Sequence, residues 1–209
     1  MKVAILIYGR LDKSGSQYNN IINSIDNSHT IDFFCSSDNS TEEDLNIFIN
    51  KYKPIYYVND KIDITNFGYF SEHYMASETN LNNMICHFIN KYRVYNLLLK
   101  YIEESNTQYD VIMYLRADIQ FNEKFDFEYP KDNNIYIPCD NDYRNGINDQ
   151  ISYGDQNVMK IYSNLINNCK YLLENNLTYV HPENLTLANL KLHNLIINRF
   201  KLSYHIVRC

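Results

Sequence analysis

Apolar residues follow two rhythms along this chain. The segment "KVAILIYG" runs without a polar break and stops at Gly9. A run of that kind reads as a strand buried on both faces, as in a parallel sheet. Tyr18, Ile21, Ile22 and Ile25 then recur at helical spacing, with Ser14 or Ser16 as the cap. "TIDFFCSSD" is a second strand with a polar end. Thr41 followed by Asp44 is an N-cap signature, and a short helix continues through Phe48 and Ile49. "KPIYYVND" is a third strand. This β-α-β-α-β alternation predicts a parallel α/β sheet with right-handed crossovers.

Residues 61–79 fit neither period and read as a loop with one turn of helix. Leu81, Met84, Ile85, Phe88, Tyr92, Tyr95, Leu99 and Ile102 mark the longest helix, amphipathic and facing the core. It feeds "YDVIMYLRADIQF", Tyr109 to Phe121, in which Val111 to Leu115 form a central strand. Further on, "IYIPC" is a short strand, "DNDYRNGINDQ" a polar loop and "ISYGD" a strand end. Val158, Tyr162, Leu165, Cys169 and Leu172 mark a helix capped by Asp155. Pro182 opens another, expected to run through Leu185 and Leu190 to Ile196. "LSYHIVR" closes the chain as a strand. No linker or repeat interrupts the pattern, so residues 1–209 are expected to form one domain with a mostly parallel sheet flanked by helices.

Composition narrows the function. The chain has 209 residues, 45% hydrophobic and 21% charged, which suits a globular fold with a full core. Twenty Tyr against five Gly and four Pro read as a coding bias, so residue counts alone assign nothing. A net charge of −6 argues against nucleic-acid binding, which would show a basic face. The five Cys (Cys35, Cys86, Cys139, Cys169 and Cys209) form no C-x-x-C pair and read as reduced thiols. The apolar N-terminal run is too short for a signal peptide, and no apolar run approaches the ~20 residues of a membrane span. The expectation is a soluble cytoplasmic protein.

The charged break in "YDVIMYLRADIQF" is the main chemical signal. In an open α/β sheet, ligands bind beyond the carboxyl ends of the strands. Arg116 and Asp118 stand just past such an end. A carboxylate there can hold a divalent metal against a bound diphosphate. An Asp capping the next turn, paired with Arg116, would give the same triplet.

The wider pattern adds to this. "YGR" (Tyr8 to Arg10), "YLRADIQF" and "NDQISYGDQNVMKIY" occur in that order. Together they resemble small viral and bacterial nucleotide-sugar glycosyltransferases of the GT-A fold, whose corresponding strand carries an Asp-x-Asp motif. The resemblance covers most of the chain. It implies a GT-A-like, Rossmann-like fold, a UDP-sugar donor, a hydroxyl or glycan acceptor, and Mn²⁺ or Mg²⁺. Carried over residue by residue, it gives Asp118 the metal. Arg116 replaces the first Asp and inherits no role; its planar donors suit a phosphate.

The same resemblance places Tyr8, Gly9 and Arg10 beside the nucleotide. Ser36, Ser37 and Asp38 end the second strand on the same edge and are candidate ribose or base contacts. Asp149 and Asp155 are the candidate general bases, Asp155 also serving as a helix cap. His205, then His181, are candidate additional metal ligands, and His73 a candidate for the acceptor side. The chain has no P-loop, dinucleotide fingerprint, nucleophile elbow or zincin motif. Two rivals remain: a non-catalytic sugar- or nucleotide-binding domain of the same fold, and a nucleotidyltransferase, for which "YGRLDKSGS" is a poor phosphate loop.

Overall fold

The structure is a computed structural model that describes residues 1–12, 14–38 and 40–207. Cys209 and the last residue of the expected closing strand, Arg208, lie outside the described residues. The strands are β1 (Lys2–Tyr8), β2 (Thr30–Ser37), β3 (Tyr56–Asn59), β4 (Val111–Arg116), β5 (Ile119–Phe121), β6 (Asn134–Pro138), β7 (Ile151–Gly154), β8 (Ile196–Phe200) and β9 (Tyr204–Ile206). The helices are α1 (Ser14–Ser24), α2 (Glu42–Tyr52), α3 (Leu81–Ser105), α4 (Gln156–Ser163), α5 (Leu165–Glu174) and α6 (Pro182–Leu192). A 3₁₀ segment spans Thr65–Glu72.

Seven strands form one sheet in the order β3-β2-β1-β4-β7-β6-β8. β7 pairs antiparallel with both β4 and β6, and the remaining pairs are parallel. The fold is therefore α/β with a mostly parallel, helix-flanked sheet. β5 and β9 make a separate antiparallel pair. The closing segment thus covers the exit of β4 instead of joining the main sheet.

β1 is central because both its faces are apolar. Val3, Ile5 and Ile7 pack on one side with Ile21 of α1 and Phe48 and Tyr52 of α2. Ala4, Leu6 and Tyr8 pack on the other with Val94, Tyr95 and Leu98 of α3 and Val158 of α4. Successive side chains point to opposite faces of a strand, so an unbroken apolar run needs a helical layer on each side. A third cluster joins the first half of α3 (Met84, Ile85, Phe88) to α5 and α6.

Local signals hold at several ends. Thr41 Oγ1 accepts from Asp44 N at 3.1 Å, and Asp155 Oδ1 accepts from Val158 N at 2.8 Å. Three expectations need correction. The helix capped by Asp155 is broken into α4 and α5 at Asn164, the C-cap of one and N-cap of the other. The helix from Pro182 ends at Leu192, and Ile196 belongs to strand β8 beside β6. Asn194 takes φ 53°, a left-handed turn that an apolar count does not reveal. The core stripe of α3 also runs through Lys91, Val94 and Leu98, with Tyr92 and Leu99 only half-buried.

Gly146 fixes the loop before β7 against the start of α6. A Cβ there would lie 2.5 Å from the carbonyl carbon of Glu183 and 2.8 Å from Asn184 N. Gly146→Ala should therefore destabilise the fold by about 1–3 kcal/mol, the usual cost of overpacking. Gly68→Ala, whose added Cβ meets nothing within 4 Å, is the control. Urea unfolding midpoints check both; equal midpoints would show that the loop is not seated on α6.

Candidate functional site

β2 and β3 lie to one side of β1, and β4 to the other. This is where strand order reverses, and open α/β sheets bind ligands outside such a point. Parallel register aligns three strand ends there: Ser36, Tyr8 and Arg116 are lateral neighbours. Lateral neighbours project to the same face, here towards α3. Gly9 leaves β1 with φ 100°, a conformation suited to glycine, and its N–H donates to Ser36 O at 3.1 Å.

A cleft of about 550 Å³ opens above these ends. Its sheet side includes Tyr8, Gly9, Arg10, Asp38, Arg116 and Asp118. Its opposite wall is the first half of α3, through Asn83, Cys86, His87 and Asn90. Six of the sequence-chosen residues thus meet in one place. Ser36 lies beneath: it is fully buried and donates to Asn90 Oδ1 at 2.8 Å, and Asn90 Nδ2 in turn donates to Asp38. Ser37 is buried and held by Ser40. Arg10 is exposed, 3.3 Å from Asp12.

Arg116 and Asp118 form a two-pronged pair. Nε donates to Oδ1 at 2.9 Å and Nη2 to Oδ2 at 2.6 Å. Burial alone would pull the guanidinium down, but the hydrogen bonds and charge of Asp118 push it further up, so Arg116 stays charged.

The resemblance implies a divalent metal at Asp118, and the donor set does not fit one. Both oxygens of the Asp118 carboxylate already face a guanidinium, a cation standing where the metal would. His205 does not join it: the ring is exposed and its Nδ1 lies 3.0 Å from Asn122 Oδ1. Nor does His181, which is buried beside Glu183 at the start of α6. Among the described residues, no three His, Cys, Asp or Glu side chains gather as a metal-ligating group.

The two candidate bases also separate. Asp155 is confined to capping α4 and does not line the cleft. Asp149 is buried just behind the cleft. Its loop is shaped by Asn148, whose side chain accepts from Gln150 N at 2.9 Å and donates to Asp140 O at 2.6 Å. The Asp149 carbonyl accepts from Lys91 Nζ at 2.6 Å and from Tyr8 OH at 2.8 Å. Its carboxylate Oδ2 lies 3.1 Å from His87 Nε2.

Sequence reasoning missed His87, Asn90, Lys91 and Glu183. The readable signal was on α3, where Lys91 continues the spacing of Met84, Phe88, Tyr95 and Leu98. A polar residue on a core stripe is the anomaly to pursue. His73 and the cleft are not brought together. No protein-family model and no curated protein matches this chain. Among the described residues, no helix is long and apolar enough to cross a membrane.

The protonation pattern inside this network is uneven. Burial pushes Asp149 up, yet the His87 ring, the Lys91 ammonium and the Arg116 guanidinium outweigh it, holding its carboxyl well below the usual carboxylate range. Burial pulls Lys91 down to about 8. Burial, with Asp149 repelling a second charge, pushes Glu183 up to about 8. Glu183 is then neutral at pH 7, and its Oε2 lies 2.9 Å from His181 Nδ1 without a formed hydrogen bond.

A raised folded-state carboxyl favours the folded state at low pH. Its contribution is fully present below the unfolded value of about 4.3 and is lost as pH rises towards about 8. Glu183→Gln mimics the protonated acid and removes this loss. The variant should match wild type near pH 4 and gain in urea midpoint relative to it by about pH 8.5. A midpoint difference that does not change across this window would place the Glu183 carboxyl in an ordinary solvated setting.

Proposed function

We propose that the protein is a GT-A-like glycosyltransferase that binds a nucleoside-diphosphate sugar, most simply a UDP-sugar, in the cleft above β1, β2 and β4. The observation that carries the reading is the convergence of Gly9, Arg10, Asp38, Arg116 and Asp118 on one cleft at the reversal of strand order. Each supplies a different recognition element. Gly9 lets backbone approach the ligand. Asp38, held by Asn90, offers an acceptor for ribose hydroxyls. Arg10 and Arg116 offer planar donors to phosphate oxygens. Transfer would move the sugar's anomeric carbon from the diphosphate to an acceptor hydroxyl.

In this reading Arg116 neutralises charge developing on the departing diphosphate, and Asp118 aims it. No step is assigned to a divalent metal. A binding module of the same fold is the second reading, favoured by the closed Arg116–Asp118 pair that stands where the family has an Asp-x-Asp. Release of UDP from UDP-sugars separates the two: turnover supports the enzyme, binding without turnover the module.

Calorimetry with UDP tests the site itself. Arg116→Lys should weaken UDP binding about tenfold, because an ammonium cannot reproduce two parallel hydrogen bonds. Chelation with EDTA should leave the wild-type affinity nearly unchanged. Unaltered binding by Arg116→Lys would move the diphosphate elsewhere, and abolition by EDTA would restore the metal at Asp118.

A further inference from the structure

His87 occupies a position that none of the donor contacts explains. It stands on the α3 wall of the cleft, with its side chain only 15% exposed. Its Nε2 is buried and lies 3.1 Å from Asp149 Oδ2, out of line for a formed hydrogen bond. Catalytic contacts are often misaligned before substrate binds. Nε2 is sealed while the ring lines the cleft, which leaves Nδ1 as the nitrogen for a ligand to meet. The ring is braced edge-on by Tyr8, with centroids 5.0 Å apart and planes at 89°.

We propose that His87 is the catalytic base that takes the acceptor's proton, with Asp149 as the positioning residue behind it. This rests on the glycosyltransferase reading of the cleft. It reassigns the role expected for Asp149, whose side chain is too buried to meet an acceptor directly. An ionised Asp149 draws the ring proton to Nε2, leaving the Nδ1 lone pair free. As the acceptor oxygen bonds to the anomeric carbon, its proton passes to Nδ1. The bond from that carbon to the diphosphate oxygen breaks, and the electron pair leaves with the diphosphate. The resulting imidazolium is held by the Asp149 carboxylate. One displacement by an activated acceptor inverts the anomeric centre.

The surroundings keep the ring unprotonated beforehand. Facing it or its partner are Tyr8 of β1, Lys91 of α3, Arg116 of β4, Asp149 of the loop before β7 and, through Asp149, Glu183 of α6. Burial, aided by the Lys91 and Arg116 cations and opposed by Asp149, pulls the imidazole down to about 4. A neutral ring is the form a base requires at pH 7.

Two measurements on the full chain test this. In ¹⁵N-histidine spectra, the ring lost in His87→Gln should be the Nε2–H tautomer. It should stay neutral down to about pH 5, whereas a free imidazole titrates near 6.5. Asp149→Asn should alter its tautomer balance and midpoint. In UDP-release assays with UDP-glucose, UDP-galactose and UDP-N-acetylglucosamine, His87→Gln should lower kcat by about 10²–10⁴-fold with the donor KM nearly unchanged. Asp149→Asn should lower kcat and shift the acidic limb of the pH profile. His87→Gln turning over like wild type overturns the base while leaving the donor site standing. Failure of wild type to bind UDP overturns the donor reading and the step with it. UDP bound without turnover of any donor overturns the step alone.

Discussion

The ammonium of Lys91 is the interaction on which the site's framework depends. It is 2% exposed and touches three separate parts of the chain. It donates to the Asp149 carbonyl and, at 2.9 Å, to Tyr162 OH of α4. It also sits 5.1 Å from the Tyr8 ring centroid and 4.6 Å from that of Tyr162. Removing an ammonium from water costs several kcal/mol unless such partners replace it. Strong acceptors, two aromatic faces and the Asp149 carboxylate provide that replacement. The long helix α3 is thereby tied to β1, to α4 and to the loop before β7.

That tie has a chemical consequence. It brings His87, one turn before Lys91 on α3, over the cleft and against Asp149. It also stabilises one charge state in each neighbour. Asp149 remains an anion because cations surround it, and the same cations keep His87 neutral. Glu183, where burial and the Asp149 charge outweigh the same cations, keeps its proton. Three titratable groups within one buried region are thus driven apart by position, which is how active sites separate acids from bases. The Arg116–Asp118 pair works differently. It is part-exposed, planar and self-satisfied, and it presents charge to the cleft without needing the buried network.

Much of the fold was legible because it rests on local rules. The apolar run of β1, the β-α-β-α-β alternation and the caps Thr41 and Asp155 are properties of a few adjacent residues. The candidates at strand ends were legible for the same reason: in a parallel sheet, the residues just past each strand share one edge. Tyr8, Gly9, Arg10, Asp38, Arg116 and Asp118 accordingly line one cleft. Errors fell where a local signal was ambiguous. A left-handed Asn194 separated α6 from β8, and an apolar count ran straight through it. Asn164 divided one apolar stripe into two helices.

The sequence by itself determined the sheet, its central strand and the edge on which charged residues collect, because hydrophobic period and strand polarity are written in consecutive residues. Only the tertiary structure decided the partners. Asp149 lies 62 positions from His87 and 58 from Lys91 along the chain. No spacing rule joins them, and burial together with the surrounding charges turns their proximity into defined charge states. The same holds for His205, which the resemblance offered as a ligand. Its strand pairs with β5, and the alternation of side chains along β9 turns its ring outward to Asn122.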